Sequence, residues 1–172
     1  MIITITGTPG TGKTTLAKQL ASFLRKRKIK CKILDLNAFI KKRKIYDYYD
    51  QKRHCYVVDE TKLRKAVLPI LKEAKKKRQC LIIHSHLSHL LHKRYIDLCI
   101  VTKCDLKTLL KRLKKRRYSA EKIRENLDAE IFDICRIEAE ERGLPILTIN
   151  TTKSMTKQPK PFYIMLKKLN IC

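Results

Sequence analysis

The segment that most constrains the fold is the glycine-rich run G-T-P-G-T-G-K-T over Gly7–Thr14, which directly follows the apolar run Ile2–Ile5. It fits the phosphate-binding pattern G-x-x-x-x-G-K-[ST] in its required context, with a short strand before it and a helical pattern after it. The glycines allow a tight turn that brings backbone N–H groups close to phosphate oxygens, and the following helix adds its positive dipole end. A glycine-rich turn that binds nothing would need neither the lysine nor the hydroxyl. The run therefore predicts a site for a nucleoside triphosphate.

Two side chains of this loop have predicted roles. Lys13 can reach the β- and γ-phosphates, and the hydroxyl of Thr14 can ligate Mg²⁺. The loop alone leaves a GTPase, an ATPase and a kinase open. A GTPase would read guanine with an N-K-x-D motif after a late strand, and Thr102–Asp105 offers only T-K-C-D, without the asparagine.

Apolar runs that fit buried strands alternate with helical patterns along the chain. The predicted strands are Ile2–Thr6, Lys32–Leu34, Cys80–Ile83, Leu98–Thr102 and Ile146–Ile149, and the predicted helices are Lys13–Arg27, Thr61–Lys77, Leu106–Lys115, Ala120–Glu141 and Phe162–Leu169. This alternation predicts an α/β fold with a five-stranded parallel sheet, helices on both faces, and a ligand crevice at the carboxyl ends of the strands. We expect one domain over residues 1–172, with the polar stretch Thr151–Pro161 as a loop before the last helix.

The chain is strongly basic. It has 41 Lys and Arg against 16 Asp and Glu, a formal net charge of +25. Such a charge favours a polyanionic partner, with RNA as the first candidate. A solvated lysine-rich surface of the kind found in hyperthermophiles is the alternative. Aromatic residues are not interleaved with the basic runs, so sequence-specific reading of bases is not predicted.

The seven cysteines include no C-x-x-C pair, and several lie within apolar strand patterns. This arrangement is typical of reduced, buried thiols in a cytoplasmic protein. No apolar stretch approaches transmembrane length, so we expect no association with a membrane, and residues 1–15 form a nucleotide loop rather than a signal peptide. The sequence leaves the oligomeric state open.

A basic run over Leu110–Ser119 ends one predicted helix and meets Ser119, a candidate N-cap for the next. Arg112 and Arg116 in this run could close over the triphosphate and stabilise charge on a transferred phosphoryl group, as a catalytic lid does. The alternatives are a solvated helix end and a cluster that faces RNA.

Several further segments occur together in an order that is specific to one family. They are Tyr46–Asp50 (Y-D-Y-Y-D), Val58–Glu60 (V-D-E), Ser85–Leu90 (S-H-L-S-H-L), Arg112–Ser119 (R-L-x-x-R-x-Y-S) and Glu121–Phe132 (E-K-I-R-E-N-L-D-A-E-I-F). With the phosphate loop, they make nearly the whole chain resemble the atypical adenylate kinases of the archaeal and nuclear type (adenylate kinase isoenzyme 6).

The resemblance implies a P-loop nucleoside-monophosphate-kinase fold and the reversible reaction of ATP and AMP to two ADP, with Mg²⁺ and with an accompanying ATPase activity. It also implies a part in the late maturation of small-subunit rRNA, through a small-subunit ribosomal protein. It assigns the ATP phosphates and Mg²⁺ to Gly10, Gly12, Lys13, Thr14 and Thr15, the monophosphate to residues 35–56, a lid with Arg116 on ATP to residues 115–125, and the adenine to the neighbourhood of Asn150–Lys153.

Two positions depart from the family pattern. His84 stands where the resemblance implies an acid that orients Mg²⁺-bound water, and a histidine cannot supply that negative charge. Either activity is reduced, or a carboxylate such as Asp35 or Asp59 substitutes. Arg117 stands where the family has glycine, so closure of the lid could differ.

The resemblance also links one histidine to ATP hydrolysis, and this is His86, for which a packed histidine at the end of a strand is the alternative. His84, His86, His89 and His92 fall within nine positions, so a Zn²⁺ or Ni²⁺ site is a further, weaker hypothesis. A kinase for a different nucleoside monophosphate also remains open.

Overall fold

The computed structural model describes residues 1–51, 53–153 and 160–170. Its strands are β1 (Ile2–Thr6), β2 (Cys31–Asp35), β3 (Tyr48–Asp50), β4 (Cys55–Val57), β5 (Cys80–His84), β6 (Leu98–Lys103) and β7 (Ile146–Asn150). Its α-helices are α1 (Lys13–Arg25), α2 (Leu36–Arg43), α3 (Glu60–Lys76), α4 (Leu106–Lys115), α5 (Ala120–Ile131), α6 (Ile134–Glu141) and α7 (Lys160–Lys168).

Five strands form one parallel sheet in the order β2-β5-β1-β6-β7, and β3 and β4 form a separate antiparallel hairpin. The central strand β1 and its neighbour β5 are buried along their whole length, as expected for strands covered on both faces. The chain crosses over between β5 and β6, on either side of β1. A parallel sheet binds its ligand at the carboxyl ends near such a switch in strand order.

Each face of the sheet carries its own apolar layer. On one face, α1 and α7 pack through Leu20, Leu24 and Met165 against side chains such as Ile3 and Ile82. On the other face, residues of α2, α3 and α6 pack against the alternate side chains of the same strands. The predicted α/β fold with helices on both faces is therefore confirmed.

Three local predictions differ from the structure. The predicted helix Ala120–Glu141 is two helices, because Asp133 adopts a left-handed conformation (φ 56°) and its carboxylate binds Lys103 of β6. Helix α2 and the β3–β4 hairpin were not predicted from the apolar pattern, since both are short. The signal for α2 was Asp35, whose side chain caps the helix by accepting from the Ala38 N–H. Most of the predicted loop Thr151–Pro161 lies outside the described residues.

The prediction of reduced, buried thiols is wrong for one pair. Cys31 of β2 and Cys80 of β5 are register partners on adjacent parallel strands, and they form a disulfide. Their pairing depends on the strand order, which brings together residues 49 positions apart. Cys55, Cys99, Cys104 and Cys135 are free thiols, and Cys172 lies outside the described residues.

None of the described helices is both long enough and apolar enough to cross a lipid bilayer.

Candidate nucleotide-binding site

A cavity of about 730 Å³ opens at the carboxyl ends of β1, β2 and β5. Three parts of the chain line it: the phosphate loop with the start of α1, the hairpin with the end of β2, and the segment around α5 and α6. The loop contributes Gly10, Gly12, Lys13, Thr14 and Thr15 to this lining. All the residues to which the family resemblance assigned the ATP phosphates therefore face one space.

The phosphate loop has the backbone that its glycines predict. Gly7, Gly10 and Gly12 have φ values of 133°, 96° and 92°, in a region that L side chains rarely adopt. At Gly7 a Cβ atom would lie 2.4 Å from Oγ1 of Thr102, so the loop could not approach β6 with any larger residue. The glycines thus fix both the turn and its seat on the sheet.

Lys13 lies within its own loop. Its Nζ donates to the backbone carbonyls of Gly7 at 2.6 Å and Thr8 at 2.9 Å. The pKa of Lys13 is lowered to about 8, chiefly by burial, and the nearby Arg116 guanidinium acts in the same direction. Because two carbonyl dipoles neutralise this cation only in part, an arriving phosphate would find a desolvated positive charge.

The part of the cavity where the sequence predicted Mg²⁺ combines Thr14, Asp35 and His84. Thr14 is exposed at the start of α1, and Asp35 and His84 are paired at the ends of β2 and β5. Burial lowers the pKa of His84, with Asp35 acting in the opposite direction, so the imidazole is neutral near pH 7. A hydroxyl and one carboxylate fit Mg²⁺, which commonly takes one or two carboxylates and completes its shell with water and substrate phosphates.

His86 also lines the cavity. The pKa of His86 is lowered to about 4, chiefly by burial and then by the charge of Lys13, so its imidazole is neutral near pH 7. Its backbone carbonyl accepts a hydrogen bond from the Thr6 hydroxyl at 3.4 Å.

The neighbouring His89 also lines the cavity, and the sequence had offered it only as a candidate metal ligand. It is 2% exposed, with Nδ1 2.7 Å from the Thr6 hydroxyl and Nε2 2.8 Å from the Glu138 carboxylate. Burial lowers the pKa of His89 against the pull of Glu138. The two hydrogen bonds of His89 connect Glu138 of α6 to Thr6 at the end of β1. The spacing of the histidines was the sequence signal for this residue.

Arg116 and Arg117 end α4 in different ways. Arg116 lines the cavity. Arg117 has φ 56°, its N–H donates to the Lys114 carbonyl, and the next N–H, from Tyr118, donates back to Leu113. This is a left-handed helix stop, at which glycine is the favoured residue. The family glycine therefore corresponds to a helix terminus.

Arg112 lies behind the loop instead of in the cavity lining. It donates to the carbonyl of Thr151 at 3.0 Å and to that of Gly10 at 3.4 Å. The hydroxyl of Thr151 in turn donates to the carbonyl of Thr11. Arg112 thus joins the phosphate loop to the segment that the family resemblance placed near the adenine, and its predicted contact with the transferred phosphoryl group stays a prediction.

The hairpin is fastened to the lid segment. Lys122 of α5 donates to the backbone carbonyls of Arg53 at 2.6 Å and His54 at 3.1 Å, and the Arg53 guanidinium lies 3.2 Å from Glu125. Lys122, His54 and Glu125 all line the cavity. These contacts join the predicted monophosphate segment to the predicted lid. Lys122 lies in the family segment Glu121–Phe132, but the sequence did not predict its contact with the hairpin.

The described residues give no support to the two alternative sites, a guanine-reading motif at Thr102–Asp105 and a metal site on the histidines. In the T-K-C-D segment, Lys103 binds Asp133 at 2.8 Å and Asp105 caps α4 through the Thr108 N–H, so both side chains have structural partners. No group of three or more His, Cys, Asp or Glu that could hold a metal ion was found in the described ranges, so they offer no support for a Zn²⁺ or Ni²⁺ site.

Comparison with known proteins identifies relatives over most of the chain. Residues 3–133 match the protein family described as AAA domain. The chain is 38% identical over 150 residues to the "Putative adenylate kinase" of Methanocaldococcus jannaschii, covering 87% of this chain and 78% of that protein. It is 33% identical over 156 residues to the adenylate kinase isoenzyme 6 homolog FAP7 of Saccharomyces cerevisiae, covering 91% and 74%.

Solved structures share the fold at lower identity. The shikimate kinase of Bacteroides thetaiotaomicron superposes with a TM-score of 0.54 at 18% identity, covering 99% of this chain and 98% of that one. The structure of a "putative kinase" from Chloroflexus aurantiacus superposes with a TM-score of 0.54 at 19% identity, covering 95% of this chain and 96% of that one. These two likenesses support the P-loop kinase fold alone. The sequence relatives, together with the phosphate loop, show that the chain belongs to the adenylate kinase isoenzyme 6 family of P-loop kinases.

Proposed function

We propose that this protein is a Mg²⁺-dependent nucleoside monophosphate kinase that converts ATP and AMP into two molecules of ADP. One observation carries the proposal: the phosphate loop, the β3–β4 hairpin and the lid segment all line the same cavity. Transfer between two nucleotides requires both to be held in line, with water excluded, and a shared cavity meets that requirement. The names of the relatives supply adenylate as the acceptor class.

The triphosphate end of the reaction falls to the loop. The backbone of Gly10 and Gly12 would cradle the phosphates, and Lys13 would exchange its carbonyl partners for β- and γ-phosphate oxygens. Arg116 would face the transferred phosphoryl group as charge spreads over its oxygens. Arg112 would act as a brace for the loop, because its guanidinium is hydrogen-bonded to Gly10 and Thr151.

Mg²⁺ would be held by the Thr14 hydroxyl, with Asp35 as the nearby carboxylate, and would neutralise charge between the β- and γ-phosphates. The monophosphate segment is proposed to be residues 35–56, which contain α2 and most of the hairpin. The lid is proposed to be residues 115–125, from the end of α4 into α5. Lys122 would hold the lid against the hairpin in the closed state, since it already donates a hydrogen bond from the lid to a hairpin carbonyl.

The decisive experiment measures ADP formation from Mg-ATP with and without AMP, using Lys13→Ala as the inactive control. We expect AMP to raise turnover sharply, with two ADP formed per ATP consumed. CMP, UMP and dAMP tested in place of AMP decide the base and sugar preference. Slow phosphate release that does not depend on AMP would contradict the kinase proposal.

A second candidate function is an ATP-switched factor in small-subunit ribosome assembly, in which hydrolysis resets the switch and kinase activity is weak. The observation that favours it is His84, a neutral imidazole where a kinase would place a carboxylate. We propose a small-subunit ribosomal protein and rRNA as partners, and the net charge of +25 is compatible with them. The two functions are compatible in one protein.

Nucleotide-dependent binding separates the two functions. If the switch dominates, affinity for small ribosomal subunits should differ at least tenfold between ATP-bound and ADP-bound protein, and His86→Ala should slow the reset. A kinase without a switch role would bind the subunits equally in both states.

A further inference from the structure

All the acidic residues of the chain lie between residues 35 and 142. Residues 1–34 contain eight Lys and Arg, residues 143–172 contain five, and neither segment has an Asp or Glu. The fold brings these distant segments together, because α1 and α7 cover the same face of the sheet. The ring of Phe23 lies 4.9 Å from that of Phe162 and 5.6 Å from that of Tyr163. The two helices that cover this face of the sheet therefore both come from acid-free segments of the chain.

The outer side of this face has a cluster of cations without counter-charges. We call it the α1/α7 surface, and it consists of Arg25, Lys26, Arg27, Lys28, Tyr163 and Lys167. Within the described ranges, none of its cations has a carboxylate at ion-pair distance. On the opposite face the end of α3 is also basic, but there Glu73 pairs with Lys77 at 2.6 Å. In the described ranges, cations without an ion pair also occur on α2 and α3, for example Lys41 and Lys65. The α1/α7 surface differs from them because the chain segments that form its helices contain no Asp or Glu at all.

An aromatic platform lies among these cations. The Arg27 guanidinium stacks over the Phe23 ring at 3.9 Å and lies 5.1 Å from the centroid of Tyr163. Tyr163 is 49% exposed, so part of its ring is free to meet a partner. Bases of single-stranded RNA stack on aromatic rings and on arginine planes. An anionic membrane or an acidic protein would need the charges and not the stacked ring.

We infer that the α1/α7 surface is a docking site for a single-stranded segment of RNA, with phosphates along the cations and a base on Tyr163 and Arg27. Its basic end lies away from the cavity, because Arg25 and Lys13 are at opposite ends of α1, about 18 Å apart at 1.5 Å per residue. RNA can therefore dock while the nucleotide site stays open. This surface is thus a binding location for the RNA partner of the assembly function proposed above. Only the identification of that RNA as rRNA rests on the proposed function.

The charge part of the test uses fluorescence anisotropy with a labelled 12-nucleotide oligouridine over a range of NaCl concentrations. The variant Arg25→Gln/Lys26→Gln/Lys28→Gln is compared with Lys65→Gln/Lys72→Gln/Lys76→Gln, which removes the same charge from exposed positions of α3. We expect at least tenfold weaker binding and a salt slope smaller by about 2 for the first variant only. Equal weakening in both variants would mean diffuse attraction and would overturn the proposal.

The stacking part compares Tyr163→Ala with Tyr163→Phe and with Ile164→Ala, its equally exposed neighbour on α7. Loss of one stacked base corresponds to about tenfold weaker binding. We expect this loss for Tyr163→Ala alone. An unchanged affinity in Tyr163→Ala, or tighter binding to phosphatidylserine vesicles than to RNA, would contradict RNA as the occupant.

ATP turnover with AMP is measured on the same proteins. The α1 triple variant should keep wild-type turnover, since none of its residues lines the cavity. An inactive wild type that still binds RNA at this surface would remove the kinase proposal and leave the docking site standing. An active wild type that does not bind RNA would do the reverse.

Discussion

Asp35 and His84 are paired across β2 and β5, at the edge of the sheet where the cavity opens. A carboxylate therefore stands beside the position at which the family pattern has an acid and this chain has histidine. Asp59 is the other carboxylate that could replace the missing acid. It caps α3 by accepting from the Lys62 N–H, and it does not line the cavity. The geometry favours Asp35 as the residue that offsets the missing charge.

Asp35→Asn should raise the Mg²⁺ concentration needed for half-maximal turnover by about tenfold. Asparagine can still accept from the Ala38 N–H and keep α2 capped, so the change removes charge with little effect on the fold. The matched control is Asp59→Asn, which likewise keeps a helix cap and should leave the Mg²⁺ dependence unchanged. Initial rates over a Mg²⁺ titration provide the measurement, and equal shifts in both variants would refute the role of Asp35.

Lys13 should make triphosphate binding depend on pH. Burial lowers its pKa to about 8, and a bound phosphate would raise it, so the protein should take up a proton on binding at pH 8.5. Affinity for ATP should accordingly fall as the pH rises through 8. Calorimetry in two buffers of different ionisation enthalpy measures the uptake directly. Lys13→Gln should show none at the same pH, and uptake that persists in this variant would assign the proton to another group.

Arg116→Ala should lower kcat by about 100-fold, because a cation facing the transferred phosphoryl group acts mainly in the transition state. The neighbouring change Arg117→Gly provides the control. It replaces a residue with φ 56° by glycine, which adopts this backbone conformation without strain. The free energy of unfolding should therefore stay the same or rise by up to about 1 kcal/mol, and kcat should be retained. Unchanged turnover in Arg116→Ala would exclude the role in transfer.

His86 should make the folded state less stable in acid. The pKa of His86 is lowered to about 4 by burial and then by Lys13, below the ordinary histidine value of about 6.5 in the unfolded chain. The unfolded chain therefore binds the proton first, and the free energy of unfolding should fall as the pH drops from about 6.5 toward 4. Urea unfolding at several pH values should give a shallower fall for His86→Asn than for wild type. His92→Gln, outside the cavity lining, is the control.

The Cys31–Cys80 disulfide closes a loop between residues 49 positions apart. Its loss in Cys31→Ser/Cys80→Ser should lower the free energy of unfolding by about 2–4 kcal/mol, chiefly by freeing the unfolded chain. Reductant should lower the melting temperature of wild type and leave that of the double variant unchanged. A melting temperature of wild type that does not respond to reductant would mean that the thiols are not joined in solution.

The strands and the longer helices were predictable because their apolar side chains repeat with periods that follow from backbone geometry. The break in the predicted helix Ala120–Glu141 was not, since it depends on Lys103 of β6 reaching Asp133. The same reason applies to the role of Lys122, which binds carbonyls of the hairpin, and backbone carbonyls leave no trace in a sequence. In the basic run Leu110–Ser119 the residue types alone favoured Arg112 and Arg116 equally, and only the structure showed that Arg116 lines the cavity and Arg112 does not.

The sequence by itself determined the phosphate loop, the alternating α/β order and the family, because each depends on residues that are neighbours along the chain. Tertiary structure decided which residues share a space. It placed Asp35 beside His84, joined Cys31 to Cys80, and brought the two acid-free ends of the chain to one face. The physical reason is the strand order: a parallel sheet pairs strands that are far apart in sequence, and side-chain chemistry at its edges depends on that pairing.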